Sequence, residues 1–124
     1  MLRRFNTGYE DGKYSFVAGH IEAGESARSA IVREAKEEAG FILKPEDLHL
    51  IHVMHRGADK KSTERIDWFF TASNWEGEII NCEPHKCDDL SWFSLDNLPN
   101  NTIQYIQHAI SEWQQGELYS EFGF

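Results

Sequence analysis

Three glutamates lie on one side of a predicted helix. Glu34, Glu37 and Glu38 occupy positions i, i+3 and i+4, so at about 100° per residue their side chains fall within one sector of the helix surface. Like charges this close repel each other, and a hard divalent cation bound by carboxylate oxygens would offset the repulsion. A solvated acidic face is the more frequent meaning of a glutamate-rich helix considered alone. The surrounding sequence is therefore needed to choose between the two interpretations.

A longer pattern surrounds these glutamates and favours the metal site. Gly19 is followed after five residues by Glu25, and after seven more by residues 33–41, REAKEEAGF. This pattern resembles the signature of the Nudix hydrolases, Gx5Ex7REUxEExGU, in which U is an apolar residue. Every fixed position is filled, and at ordinary residue frequencies a chance match is rarer than about one in a million. Ala35 alone is smaller than the aliphatic residue that the family usually has there.

The expected metal ligands come partly from spacing and partly from the resemblance. Glu34 and Glu38 stand about one helical turn apart and form the best ligand pair, and the resemblance adds Glu37 and the backbone oxygen of Ala18. Because all these donors are oxygens, Mg²⁺ is the expected ion, with Mn²⁺ as a substitute. Such an ion neutralises the oxygens of a phosphoanhydride and activates the attacking water.

The other fixed residues of the motif are expected to hold its loop in place. An arginine can bind a carboxylate through two hydrogen bonds, so we expect Arg33 to pair with Glu25 rather than to contact phosphate. Gly19 permits a tight loop, and Gly40 suits a left-handed residue at the end of the helix. These four residues are therefore predicted to be structural.

The sequence leaves several candidates for the general base. They are Glu34 within the motif and, outside it, Glu83, Asp88 and Asp89 in the segment NCEPHKCDDLSWF. A base must reach the attacking water by a hydrogen bond, and residue spacing does not give that distance. We favour Glu34, with Glu83 as the outside acid that contributes to a metal or the water. For Asp88 and Asp89, a solvated turn and a role in substrate recognition are about equally supported.

Cationic and aromatic residues provide candidates for nucleotide binding. Aromatic side chains on strands belong to the core more often than to a binding site, and His52 and His55 are expected at the surface or in hydrogen bonds. The candidates for phosphate are Arg3, Arg4, Arg56, Lys60 and Lys61, and those for stacking on a base or sugar are Tyr14, Phe16, Trp68 and Phe70.

Strands and two helices are expected to position these residues. A helix over Ala27–Ala39 is predicted from an N-cap at Ser26, and a second helix over Thr102–Gln115 from an N-cap at Asn101 and apolar residues at helical spacing. Strands are predicted at residues 14–18, 48–54, 65–72, 78–80 and 91–93. This order, together with the motif, resembles the Nudix α/β fold, an α/β/α sandwich built on a mixed β-sheet.

The first residues depart from the family pattern. Nudix proteins usually have a strand or more of sequence before the segment that corresponds to Leu2-Arg3-Arg4. We therefore expect that the sheet lacks its first strand or is completed by other means. An unpaired sheet edge invites pairing with another chain, so a homodimer is one expectation.

Length and charge restrict the class of protein. The 124 residues suit one domain over residues 1–124, and twelve basic against twenty-one acidic residues give a net charge of −9. This charge argues against duplex nucleic acid as a partner, because such a partner requires a basic surface. Without a leader or a run of about 18 apolar residues, we expect no membrane partner and a cytoplasmic location. Cys82 and Cys87 are expected to be free thiols rather than zinc ligands or a disulfide.

These features predict a metal-dependent pyrophosphohydrolase with a small-molecule nucleotide substrate. It would cleave a phosphoanhydride in a nucleoside diphosphate linked to another group, such as a nucleoside triphosphate or a nucleotide sugar. The alternative is a catalytically weak nucleotide-binding or regulatory module on the same fold, against which the three intact glutamates count. A prenyl diphosphate isomerase would need a reactive group in an apolar pocket, for which Cys82 or Cys87 is a weak candidate.

Overall fold

The computed structural model describes all 124 residues, Met1–Phe124, as two three-stranded sheets and two helices. In chain order the elements are β1 (Leu2–Arg4), β2 (Tyr14–Ser15), α1 (Ala27–Ala39), a 3-10 turn (Pro45–Asp47), β3 (Leu48–Arg56), β4 (Arg65–Ala72), β5 (Cys87–Leu90), α2 (Gln104–Gln114) and β6 (Tyr119–Phe122).

The first sheet has the order β2-β1-β5 and is antiparallel throughout. Leu2 of β1 faces Ser15 on one side and Leu90 on the other, and the register shifts between Arg3 and Arg4. The strand at residues 2–4 therefore has a partner along both edges. Of the two expectations for this sheet, an unpaired β1 is wrong and completion by other means is what the structure shows, because β5 supplies the second partner from a distant part of the sequence.

The second sheet has the order β4-β3-β6 and is mixed, since β3 pairs antiparallel with β4 and parallel with β6. Buried His52 links β3 to the last part of the chain. Its Nδ1 lies 2.9 Å from the carbonyl oxygen of Glu117 and its Nε2 lies 2.7 Å from the hydroxyl of Ser120. The expectation of a hydrogen-bonded histidine is thus confirmed for His52.

Two of the predicted strands do not form. Residues 78–80 and 91–93 are irregular, and the backbone amide of Ile80 instead donates to the carbonyl of Ala39 at the end of α1. Conversely, β5 and β6 were not predicted. These two short strands carry charged or hydroxyl side chains, and long-range pairing rather than β propensity determines them.

Helix α1 has the predicted bounds and both predicted caps. The Ser26 hydroxyl accepts a hydrogen bond from the amide of Ser29, and Gly40 adopts φ 71° while its amide donates to the carbonyl of Lys36. Ala35 is fully buried and packs with Leu43 and Leu48 at the start of β3. The apolar side of α1 is therefore fixed against the second sheet, which leaves its glutamates on another side.

Helix α2 begins two residues later than predicted. Ile103 is its N-cap and makes no capping hydrogen bond with its side chain, whereas the side-chain amide of Asn101 donates to the carbonyl of Gly12. The predicted Asn101 cap is therefore wrong, because this side chain ties the helix entrance to the loop before β2. Neither helix is long and apolar enough to span a membrane.

Candidate active site

Glu38 lies in the centre of an acidic cluster at the end of α1. One of its carboxylate oxygens accepts a hydrogen bond of 3.3 Å from the amide of Ala18, in the loop that follows β2. Burial is the main cause that raises the pKa of Glu38, the hydrogen bond from the Ala18 amide opposes it, and the nearby carboxylates of Glu34 and Glu83 add to the rise, so that the pKa of Glu38 is about 8. The structure therefore brings three acidic residues from two separate segments into one electrostatic unit.

Arg33 ties the loop of the motif to the helix, as predicted. Its Nε and Nη2 donate to the two carboxylate oxygens of Glu25 at 2.8 and 3.0 Å, and Nη2 also donates to the carbonyl of His20 at 3.1 Å. These arginine hydrogen bonds lower the pKa of Glu25 to about 2. Hydrogen bonds to Glu25 and Glu34 in turn raise the pKa of Arg33. Both members of the pair are thus ionised at neutral pH.

Gly19 lies directly against Glu34. A Cβ atom at residue 19 would lie 1.9 Å from Oε1 of Glu34 and 2.1 Å from its Cδ, so any side chain there would displace the Glu34 carboxylate. The same Oε1 accepts a hydrogen bond of 2.7 Å from Nη1 of Arg33. The Glu34 carboxylate is thus held between the glycine backbone and the arginine, with its side chain 13% exposed.

Glu37 has a different environment from the other two glutamates of the motif helix. Its side chain is 55% exposed, and its Oε2 lies 3.3 Å from Nη1 of Arg33. No group of three or more histidine, cysteine, aspartate or glutamate side chains converges closely enough to hold a metal ion as the side chains stand. The donor chemistry nevertheless fits Mg²⁺, because Glu34 and Glu38 bring two mutually repelling carboxylates together, with the carboxylate of Glu83 nearby.

A cavity of about 590 Å³ extends from the motif between α1, β4 and α2. Ala18, Gly19 and Glu34 line one part of it, and most of its wall is apolar. Arg4 and Arg56 line another part. A space of this size with carboxylates and cations in its wall can accommodate a molecule as large as a nucleotide.

The cavity separates the predicted substrate contacts into two groups. Arg4, Phe16, Arg56, Trp68 and Phe70 line it, as does the buried His52. The remaining candidates do not line it; they are Arg3, Tyr14, His55, Lys60, Lys61 and Asp88.

Among the candidates outside the cavity, Arg3, Tyr14 and Asp88 have structural partners. Nε of Arg3 and a carboxylate oxygen of Asp88 lie 2.7 Å apart in an exposed ion pair. The buried Tyr14 donates its hydroxyl proton to Asp89, and this hydrogen bond lowers the pKa of Asp89. These contacts join β1, β2 and β5, so their residues hold the first sheet together.

Arg56, in the cavity wall, contacts both an aromatic ring and a carboxylate. It lies 3.7 Å above the ring of Tyr105, and its Nε is 2.8 Å from a carboxylate oxygen of Asp67 without the alignment of a hydrogen bond. Tyr105 and Asp67 were not among the sequence candidates. Tyr105 is adjacent to the apolar stripe of α2, and Asp67 alternates with aromatic residues in β4. Neither position carries a sequence signal that distinguishes it from a residue without a role in the site.

Comparison with known proteins agrees with the fold and the motif. A family model described as NUDIX domain matches residues 1–114. These features define a class of protein: an α/β sandwich that carries a complete phosphoanhydride-hydrolase motif on its first helix and the loop before it. The chain belongs to the Nudix family.

Similar proteins include two NAD-capped RNA hydrolases called NudC. The one from Stutzerimonas stutzeri is 32% identical over 91 residues, which are 73% of this chain and 30% of the relative. The one from Pseudomonas aeruginosa is 35% identical over 89 residues, which are 71% of this chain and 29% of the relative. The chain thus spans less than a third of the length of these relatives.

Solved structures show the same fold. A MutT NUDIX hydrolase from Burkholderia pseudomallei superposes with a TM-score of 0.80 at 24% identity, over 89% of this chain and 83% of that chain. A UDP-X diphosphatase superposes with a TM-score of 0.61 at 19% identity, over 96% of this chain and 58% of that chain. The predicted α/β sandwich is confirmed, with two sheets in place of the single mixed sheet.

Proposed function

We propose that this protein is a metal-dependent pyrophosphohydrolase that cleaves a nucleoside diphosphate linked to another group. The observation that carries the proposal is the placement of Glu34. It lies on the same helix as Glu38 and in the wall of a cavity large enough for a nucleotide. Family membership supports the reaction class, since the motif that defines the family is complete in this chain.

The residues that would hold Mg²⁺ or Mn²⁺ are Glu34, Glu37 and Glu38, with the backbone oxygen of Ala18. The ion would supply electrophilic stabilisation of the phosphoanhydride oxygens and would lower the pKa of a water molecule. To join the other metal ligands, Glu37 must release Arg33. Its carboxylate lies 3.3 Å from Arg33, and its side chain is exposed. More than half of the Glu37 side chain is exposed, so it has room to rotate away from Arg33.

The remaining residues have distinct tasks in this proposal. Glu34 takes the proton from the attacking water, since it is the motif glutamate that lines the cavity. Glu83 adds negative charge beside Glu38 and assists in holding the ion. Glu25 and Arg33 fix the loop, and Gly19 leaves room for the Glu34 carboxylate. Arg4, in the wall of the cavity, would bind a phosphate of the substrate through the guanidinium N–H groups that remain beside its hydrogen bonds to Tyr9 and Thr7.

The cavity and the names of the relatives support the proposed substrate class. Phe16, Trp68 and Phe70 in the cavity wall offer aromatic surface to a base or sugar. Relatives named NAD-capped RNA hydrolase and UDP-X diphosphatase act, by their names, on nucleotides in which a diphosphate is joined to a second group. We therefore place dinucleotides and nucleotide sugars beside nucleoside triphosphates as substrates.

A second candidate is a nucleotide-binding module with little turnover. It is favoured by one observation, namely that no three histidine, cysteine, aspartate or glutamate side chains lie closely enough together to hold a metal ion in the present arrangement. Such a module would bind nucleotides in the same cavity without releasing product.

The experiment is a product-release screen with Mg²⁺ and with EDTA. The panel contains nucleoside triphosphates, NAD, UDP-sugars and NAD-capped RNA, and phosphate, pyrophosphate and mononucleotide are measured. We expect Mg²⁺-dependent release of a mononucleotide or pyrophosphate from at least one compound. A thermal shift with a nucleotide but no product from any compound would instead support the binding module.

A further inference from the structure

The loop between β4 and β5 brings an acid outside the motif, Glu83, to the end of α1 that carries the motif glutamates. Ile80 and Cys82 donate their backbone amides to the carbonyls of Ala39 and Glu38, at 3.0 and 3.1 Å. Glu83 follows directly in the sequence. The chain just before Glu83 is therefore attached to the last turn of α1, beside Glu38.

Asn81 lies between Ile80 and Cys82, and its side-chain amide both donates and accepts a hydrogen bond. Its Nδ2 donates to the carbonyl of Cys87 at 2.7 Å, and its Oδ1 accepts from the backbone amide of Glu83 at 3.1 Å. Cys87 is the first residue of β5 and is buried in the first sheet. The single amide group of Asn81 thus connects the backbone of Glu83 to the sheet.

Few other contacts restrain Glu83. Its carbonyl accepts from the amides of Lys86 and Cys87, both at 2.9 Å, and these bonds close the turn itself. Its carboxylate is 3.9 Å from Nζ of the exposed Lys86, a distance at which a surface ion pair stabilises little. The backbone bonds of Ile80 and Cys82 fix the preceding segment to α1, and the hydrogen bond from the Glu83 amide to Asn81 is the side-chain contact that fixes the turn relative to β5.

We propose that Asn81 is a positioning residue that holds Glu83 near Glu38, and thereby raises the affinity of the Glu34 and Glu38 carboxylates for a divalent cation. The inference rests on the proposed function, since it assigns the metal to the same cluster. Asn81 does not contact the ion. Residues that orient metal ligands typically change metal affinity by about 10- to 100-fold when they are replaced.

The test is a Mn²⁺ binding titration, followed by the electron paramagnetic resonance signal of the free ion and independent of turnover. We expect Asn81→Ala and Glu83→Gln each to weaken Mn²⁺ binding about 10-fold. The double variant should bind Mn²⁺ as Glu83→Gln does, because Asn81 acts only through Glu83.

The matched control is Asn101→Ala. Asn101 also donates its side-chain amide to a distant backbone carbonyl, that of Gly12, at 2.8 Å, but it does so at the loop before β2 and not at the Glu83 turn. We expect this variant to lose a similar amount of stability and to bind Mn²⁺ as the wild type does. If Asn81→Ala does not fold, Asn81→Ser, which retains a hydroxyl, provides the same comparison.

The outcomes separate this inference from the proposed function. Wild-type Mn²⁺ affinity in Asn81→Ala, or in Glu83→Gln, would overturn the role of Asn81 while leaving the metal site at Glu34 and Glu38 intact. Equal weakening in Asn101→Ala and Asn81→Ala would show a general loss of stability and would also overturn it. Failure of the wild type itself to bind Mn²⁺ would overturn the proposed function and this inference with it.

Discussion

Substitution of Gly19 by alanine tests whether the position of the Glu34 carboxylate determines turnover. The added Cβ would lie 1.9 Å from Oε1 of Glu34, whereas real contacts of a Cβ atom are essentially never shorter than 3.0 Å. The oxygen must therefore move by about 1 Å or more, which also lengthens its 2.7 Å hydrogen bond from Arg33. A misplacement of about 1 Å in a catalytic group can lower the rate about 100-fold, which corresponds to about 2.7 kcal/mol in the activation barrier.

Stability should change little in Gly19→Ala. The clash involves the end of a flexible side chain rather than backbone, and Gly19 does not have a positive φ. Gly24→Ala is the opposite case. Gly24 has φ 80°, and no atom lies within 4 Å of the place that a Cβ would take, so alanine there strains the backbone by about 1–2 kcal/mol without touching Glu34.

The assay compares kcat and the melting temperature of both variants, on the nucleotide that the product-release screen identifies. We expect Gly19→Ala to lose turnover at a nearly unchanged melting temperature, and Gly24→Ala to show the reverse. In a Glu34→Ala background, Gly19→Ala should have no further effect, because the displaced carboxylate is already absent. The reasoning would be refuted by normal turnover in Gly19→Ala, or by an equal fall in kcat in the presence and absence of Glu34.

Three further predictions concern the metal site and its support. Glu34→Gln and Glu38→Gln should each lower kcat by at least about 100-fold, because each removes an anionic ligand; undiminished turnover in either variant, or in EDTA, contradicts the metal assignment. Mg²⁺ should raise the melting temperature in a concentration-dependent way, since the ion binds the folded state and relieves carboxylate repulsion, and the shift should vanish in the double variant Glu34→Gln/Glu38→Gln. An equal shift in that double variant means that the ion binds elsewhere. Arg33→Lys should lower kcat about 10-fold, because lysine cannot make the two hydrogen bonds of 2.8 and 3.0 Å to Glu25. The control is Arg28→Lys, at a helix position without a carboxylate partner. Equal kcat values for these two variants would count against the role of Arg33 in fixing the loop.

The loop and helix of the motif could be predicted almost completely from the sequence. The caps at Ser26 and Gly40, the bounds of α1 and the pairing of Glu25 with Arg33 are all present as expected. Each depends on residues within about fifteen positions of one another. Local backbone preferences and short-range hydrogen bonds decide such features, so the residue types alone carry enough information.

Features that depend on distant segments could not be predicted in this way. β1 acquires β5 as its second partner, and residues 78–80 bond to the end of α1 instead of forming a strand. Arg3 and Arg4 are neighbours in the sequence, but successive residues of a strand point to opposite faces. Arg3 consequently pairs with Asp88 while Arg4 lines the cavity.

The amino-acid sequence by itself determined the chemical class of the protein, because the glutamates, the arginine and the glycines of the motif act through contacts that are close in the chain. The tertiary structure decided which other residues join them. Glu83 lies beside Glu38, and Arg56 is engaged by Asp67 and Tyr105, only because packing brings together segments far apart in the chain. Whether such contacts form depends on how the whole chain buries its apolar surface and orders its backbone. No local pattern of residue types encodes the total free energy of these two processes.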